Sequence, residues 1–274
     1  MHSQHQFLYQ NVLIRYRDVG GGQPLLLLHG FGETAAIWDL QIEALSKAFR
    51  VIAPDLPGSG TSVAGSEAGH IIHLACSLNR MADACSALMQ HISDQPFVVL
   101  GHSMGGYVAL CMAAQAGHQL CGLGLINSTA FADTAAKKES RQKGAAFMLE
   151  NGAYAFLRTA IPSLFGKAFT SNESHRIEAL IEDARPFDGR YTAAYYQAMM
   201  ARKDQTTLLE GIAIPVLFVI GDEDVAAPMA DVLKQVQLPQ IAHVIILNGV
   251  GHMSMWEATE ALNKALLKFV KDCV

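Results

Sequence analysis

The chain predicts an α/β fold: a mostly parallel, doubly wound sheet covered by helices and interrupted by one helical insertion. Three observations carry this reading. Short, continuous apolar runs of strand length alternate with segments of helical period, and parallel strands buried on both faces read as such runs. Strand–helix alternation of this kind builds a parallel sheet with helices on its faces. The alternation stops near residue 128 and resumes after 208. Hydrophobic residues make up 51% of the 274 residues and charged ones 16%, which supplies a large core.

The elements follow in order. Residues 7–19 show β-rich alternation (Val12, Ile14, Tyr16) broken near Gln10-Asn11, which predicts a hairpin. A Gly20-Gly21-Gly22-Gln23-Pro24 turn leads into the apolar run 25–28, a buried strand. Residues 36–49 carry Ile37, Leu40, Leu45 and Ala48 near helical spacing, and 51–53 form the next strand. A loop rich in Pro and Gly spans 54–60. Residues 71–92 read as one long helix with Leu74, Leu78, Met81, Cys85, Leu88 and Met89 on a single face. Strand 97–100, small-residue helix 107–116 and strand 123–126 complete the first part.

From 128 to 208 the pattern is helical, with many aromatic and methionine residues, among them Phe131, Phe147, Tyr154, Phe165, Tyr195 and Met199. Insertions of this length in a compact domain are functional or separately folded. Strands at 215–220 and 243–247 and an amphipathic helix at 256–270 then close the chain. The expected organisation is a core of 1–127 and 209–274 with a helical unit at 128–208.

Composition excludes several classes of function. A formal charge of -5, with no long run of like charge, argues against a nucleic-acid binder. No stretch approaches the ~18 apolar residues that span a bilayer. The start, Met1-His2-Ser3-Gln4-His5-Gln6, lacks a secretory pattern, so a cytoplasmic location and no membrane partner are expected. Five scattered cysteines without a CxxC read as free thiols. His2/His5 and His70/His73 have no Cys or carboxylate at ligand spacing, so no metal and no cofactor are expected.

The chemistry concentrates in Gly101-His102-Ser103-Met104-Gly105, which follows a strand and opens a helix. A sharp strand-to-helix turn exposes the serine and holds it in a strained conformation. Side chains two before and two after would collide, hence glycine at both places. His102 is expected to serve packing. Ser103 needs a base. His252 qualifies because its loop, 248–252, follows the last strand and opens at the same sheet edge. The base needs a carboxylate to fix its tautomer. Asp222, Glu223 and Asp224 all follow the strand 215–220. Asp224, third past Gly221, is placed to reach His252, and Asp222 remains the alternative, otherwise a loop cap. Oxyanion donors are expected from the backbone N–H of Met104 and, in the loop His29-Gly30-Phe31-Gly32, from that of Phe31.

As a set, residues 25–32 (LLLLHGFG), 51–62 (VIAPDLPGSGTS), 99–106 (VLGHSMGG), 219–228 (VIGDEDVAAP) and 248–252 (NGVGH) resemble the α/β-hydrolase superfamily along nearly the whole chain. The resemblance implies that Ser103, Asp224 and His252 form a catalytic triad and that Phe31 and Met104 form the oxyanion hole. It places the insertion where relatives carry a cap that shapes a mostly apolar pocket, with Gly30 and Trp38 as candidate substrate contacts. The loop 55–62 is expected to be structural. The implied activity is cleavage of carboxylic esters of small, fairly apolar substrates through an acyl-enzyme, by a monomer or homodimer. Carbon–carbon bond hydrolases, thioesterases and lyases share the triad, and a ligand receptor could retain the pocket. Dehalogenases and epoxide hydrolases use an aspartate where Ser103 stands, which sets them apart.

Overall fold

The computed structural model describes residues 4–63, 65–116 and 119–274; His2 lies outside the described residues. The chain opens with β1 (Gln4–Tyr9) and β2 (Val12–Val19), an antiparallel hairpin. Its two turn residues, Gln10 and Asn11, both have positive φ, 45° and 63°, the geometry that matches strand twist in a two-residue hairpin loop. Then follow β3 (Pro24–Leu28), a short 3-10 turn (Ala35–Trp38), α1 (Asp39–Leu45) and β4 (Arg50–Pro54). Next come α2 (Ala68–Ala75), α3 (Leu78–Ile92), β5 (Phe97–His102), α4 (Met104–Ala116) and β6 (Leu120–Ile126).

The strand order is β1-β2-β4-β3-β5-β6, extended by β7 (Val216–Gly221) and β8 (Ala242–Leu247). Pairing is antiparallel for β1–β2 and β2–β4 and parallel from β4 through β8. The expected mostly parallel sheet is therefore present, with a hairpin added at one edge.

Alternation along each strand divides the core into two layers. Leu26, Leu28, Val99, Leu123, Leu125, Phe218 and Ile220 face α3 and α4 through Met81, Cys85, Leu88, Val108 and Met112. Leu25, Leu27, Val98, Leu100, Ile126, Leu217 and Val219 face the opposite way, onto Ile42 and Leu45 of α1 and the closing helix, α13 (Thr259–Cys273). That helix follows α11 (Met229–Val232) and α12 (Ser254–Glu257). Period-two burial on both faces accounts for the unbroken apolar runs in the sequence.

Three helices differ from expectation at their breaks. Residues 71–92 form two helices rather than one. Ser77 adopts an extended backbone, and its hydroxyl accepts from the Arg80 N–H and restarts the helix as an N-cap. Residues 36–49 begin as the 3-10 turn capped by Thr34 and end at Leu45. The C-terminal segment is split into α12 and α13 at Ala258.

Between β6 and β7 the chain forms only helices: α5 (Ala135–Asn151), α6 (Ala153–Ala160), α7 (Lys167–Asn172), α8 (Ser174–Asp183), α9 (Gly189–Ala201) and α10 (Thr206–Gly211), with a 3-10 turn at Ile161–Leu164. Tyr195 of α9 is fully buried and anchors this segment to the loop after β4. Its hydroxyl donates to the Pro57 carbonyl at 2.8 Å and lies 3.0 Å from Ser59 Oγ. In that loop, Asp55 accepts from the N–H of Ala35 and of Thr61 and from the Thr61 hydroxyl, in keeping with a structural role. No helix of the described residues is long and apolar enough to cross a membrane.

Candidate active site

Because β3, β5, β6, β7 and β8 run parallel, the loops that leave their carboxyl ends converge on one edge of the sheet, where open α/β sheets bind ligands. β5 delivers Ser103 there, with φ +51°, a left-handed conformation costly for a residue with a Cβ. The turn that imposes it depends on glycine. A Cβ at Gly101 would collide with the Gly105 carbonyl, and one at Gly105 would collide with the Leu28 carbonyl at the end of β3. Ser128, just past β6, donates its hydroxyl to the Ser103 carbonyl at 2.7 Å.

β7 delivers Asp224 and the loop after β8 delivers His252. His252 Nδ1 lies 2.9 Å from Asp224 Oδ1 and 2.8 Å from Oδ2 and donates its proton to the carboxylate. Asp224 Oδ1 also accepts from the N–H of Ala226 and Ala227, at 2.8 and 2.9 Å. Asn127 Nδ2 donates to Asp224 Oδ2 and to the Gly251 carbonyl, both at 3.0 Å. Burial alone would raise the Asp224 carboxyl; the His252 ring and these donors outweigh it and hold it below the usual range. Asp222 is the loop cap of the alternative reading, accepting from the Gly249 N–H at 2.7 Å.

The His252 turn is pinned from a third side. Its own N–H donates to the Leu164 carbonyl of the helical segment at 2.6 Å. One carboxylate, Glu257, accepts from the N–H of Gly251, Met253 and Gly166, at 3.0, 3.0 and 2.7 Å. Ser103 and His252 line one cavity of about 210 Å³. The core side adds Phe31, Glu33 and Tyr107, and the helical segment adds Lys137, Ser140, Arg141, Leu164, Tyr196 and Met199. The lining is thus mixed rather than mostly apolar, because α5 turns three polar side chains toward it.

A family model described as the alpha/beta hydrolase family matches residues 25–265. The chain belongs to the alpha/beta hydrolase family. It is 27% identical over 246 residues to the pimeloyl-(acyl-carrier protein) methyl ester esterase of Nitrosomonas europaea, covering 87% of this chain and 92% of that one. It is 24% identical over 260 residues to the (E)-2-((N-methylformamido)methylene)succinate hydrolase of Acinetobacter baylyi, covering 94% of each. Among solved structures, a thermophilic esterase from Thermogutta terrifontis superposes with a TM-score of 0.88 at 26% identity over 99% of both chains. The enol-lactonase of Burkholderia xenovorans, at 22% identity, shares the fold with a TM-score of 0.87 over 97% of this chain and all of that one. The protein is an alpha/beta hydrolase enzyme.

Several expected site residues of this hydrolase lie elsewhere than the cavity wall. Trp38 is fully buried and packs edge-on against His102, with ring centroids 6.4 Å apart. Its place is the core beneath the site. Gly30 is required by a neighbouring pair: its N–H donates to Glu33 Oε2 at 2.6 Å, and a Cβ would press on His102 Nδ1 and Glu33.

His102 does more than pack. Its Nδ1 lies 3.0 Å from Glu33 Oε2 and its Nε2 lies 2.9 Å from the His252 carbonyl. The carbonyl only accepts, so Nε2 carries a proton, and an ionised Glu33 accepts a second from Nδ1, which makes the ring an imidazolium. Burial opposes this charge, but Glu33 and the His252 carbonyl prevail and raise the His102 pKa. Glu33 is likewise lowered despite its burial, chiefly by His102. His29 shows the contrast. Its Nδ1 donates to the Gly30 carbonyl and its Nε2 accepts from the Leu56 N–H, a neutral ring whose pKa burial lowers. Asn127, Glu33 and Glu257 are polar supports that sequence reasoning passed over, and His102, expected to serve packing, is a fourth. Asn127, directly after β6, and His102, beside Ser103, could have been found from position; Glu33 and Glu257 carried no such signal. Among the described residues, no group of three His, Cys, Asp or Glu side chains is clustered to hold a metal.

Proposed function

We propose that this hydrolase is a serine esterase in which Ser103 is the nucleophile, His252 the general base and Asp224 its orienting acid. The observation that carries the reading is the His252–Asp224 contact behind a cavity that His252 shares with the left-handed Ser103. His252 Nε2 takes the hydroxyl proton as Ser103 Oγ adds to the ester carbonyl. The N–H of Met104, first residue of α4, and that of Phe31 face the developing oxyanion. Losing one such donor costs about 3–4 kcal/mol of transition-state stabilisation. The tetrahedral species collapses with breakage of the acyl carbon–alkoxy oxygen bond, and His252 returns the proton to the departing alcohol. Water, deprotonated by His252, then adds to the acyl-Ser103 ester; the acyl carbon–Oγ bond breaks, His252 returns the proton to Ser103 Oγ, and the acid is released. Residues 128–208 act as a cap that forms the outer wall and excludes bulk water.

The activities by which its relatives are named, esterase and hydrolase, support this reading. A panel of p-nitrophenyl esters of increasing acyl length tests it. The wild type turns over the short members, and Ser103→Ala abolishes turnover with its fold intact. Wild-type rates in Ser103→Ala would refute the assignment.

A further inference from the structure

The cavity wall supplied by α5 is basic in a chain whose formal charge is -5. Lys137 and Arg141 are four residues apart on that helix and so share one face, with Ser140 beside them in the lining. Arg141 Nε donates to Asp133 Oδ2 at 2.8 Å, and Arg202 Nη1 reaches Asp133 Oδ1 at 2.9 Å. The Asp133 side chain is closed to solvent and serves both guanidiniums, while Asp204 acts on Arg202 as well. Lys137 Nζ donates to a neutral carbonyl, that of Ala226, at 2.8 Å. Nothing in that contact cancels its charge. The carboxylate in the lining, Glu33, is already paired with His102. Arg141 also lies over the Tyr196 ring at 5.0 Å, which fixes its plane.

An ammonium whose hydrogen-bond partner is a neutral carbonyl and a held guanidinium, both lining the small cavity of the candidate nucleophile, are the chemistry that recognises a carboxylate. We propose that the substrate is a carboxylate-bearing ester, a short monoester of a dicarboxylic acid, with its free carboxylate on Lys137 and Arg141 and its ester carbonyl at Ser103. The proposal rests on the esterase reading for its second half. The cavity of about 210 Å³ favours a short chain between the two groups. Cleavage consumes one water and yields the dicarboxylic acid and an alcohol.

Two measurements test this on the intact protein. The first is calorimetric titration with glutarate. The second is the ratio of kcat/KM for monomethyl glutarate to that for methyl butyrate. The structure predicts saturable glutarate binding, weakened by added salt. It also predicts that Lys137→Met lowers both glutarate affinity and the anionic-to-neutral ratio by roughly 10- to 100-fold. Lys137→Arg restores most of both. Cleavage of both esters with a ratio indifferent to Lys137→Met, or glutarate binding unaffected by it, overturns the proposal and leaves the esterase reading standing. Lys137-dependent glutarate binding with neither ester cleaved sustains the anion site and overturns the esterase reading.

Discussion

His102 Nε2 donates to the backbone carbonyl of His252 at 2.9 Å, across 150 residues of chain. Through Glu33 on its other nitrogen, the same ring ties the loop after β3 to the turn that presents His252. The residue beside the candidate nucleophile therefore braces the residue proposed as its base.

Glu33→Gln tests this brace. It leaves a buried imidazolium without its counterion, at a cost of about 3–5 kcal/mol. The pH dependence has two limits. Glu33 is held below its ordinary value, so its contribution is complete above about 4.3 and is lost as pH falls through the lowered value. His102 is raised, so its contribution is complete below about 6.5 and is lost as pH rises through the raised value. The stability difference between wild type and Glu33→Gln is thus greatest between about pH 4.3 and 6.5. Denaturant melts across pH check it; a difference that is flat or greatest at pH 9 contradicts it.

What the sequence disclosed and what it hid separate by range. The turn around Ser103 was legible because its constraint is steric and local: Gly101 and Gly105 clash with neighbours if given a Cβ. The strands were legible because burial on both faces leaves continuous apolar runs. The Glu33–His102 pair was not, since its members are 69 residues apart and only the fold joins them. The polar lining from α5 was hidden for a related reason. Periodicity shows that a helix has faces, but not which face meets a cavity.

Asp224→Asn places an amide among donors. Oδ1 accepts from two backbone N–H groups, so the NH2 must take the Oδ2 position, facing Asn127 Nδ2 and His252 Nδ1. On the esterase reading, the imidazole then loses its productive tautomer and kcat falls roughly 10³- to 10⁴-fold. Steady-state kinetics on a short p-nitrophenyl ester measure this, and a fall under tenfold speaks against Asp224 as the orienting acid.

Tyr195→Phe removes the hydroxyl that joins α9 to the Pro57 carbonyl and Ser59. The expected loss of stability is about 1–3 kcal/mol, from buried polar groups left without a partner. Urea unfolding reads it directly; an unchanged midpoint would mean that this bond does not hold the helical segment to the core.

The proposed mechanism depends on a covalent intermediate on Ser103. Brief reaction with a p-nitrophenyl ester, acid quenching and peptide mass mapping would locate it. The expected result is an acyl mass on the peptide containing Ser103, a matching burst of p-nitrophenol, and loss of both in Ser103→Ala. An acyl group on another residue, or full turnover by Ser103→Ala, would contradict it.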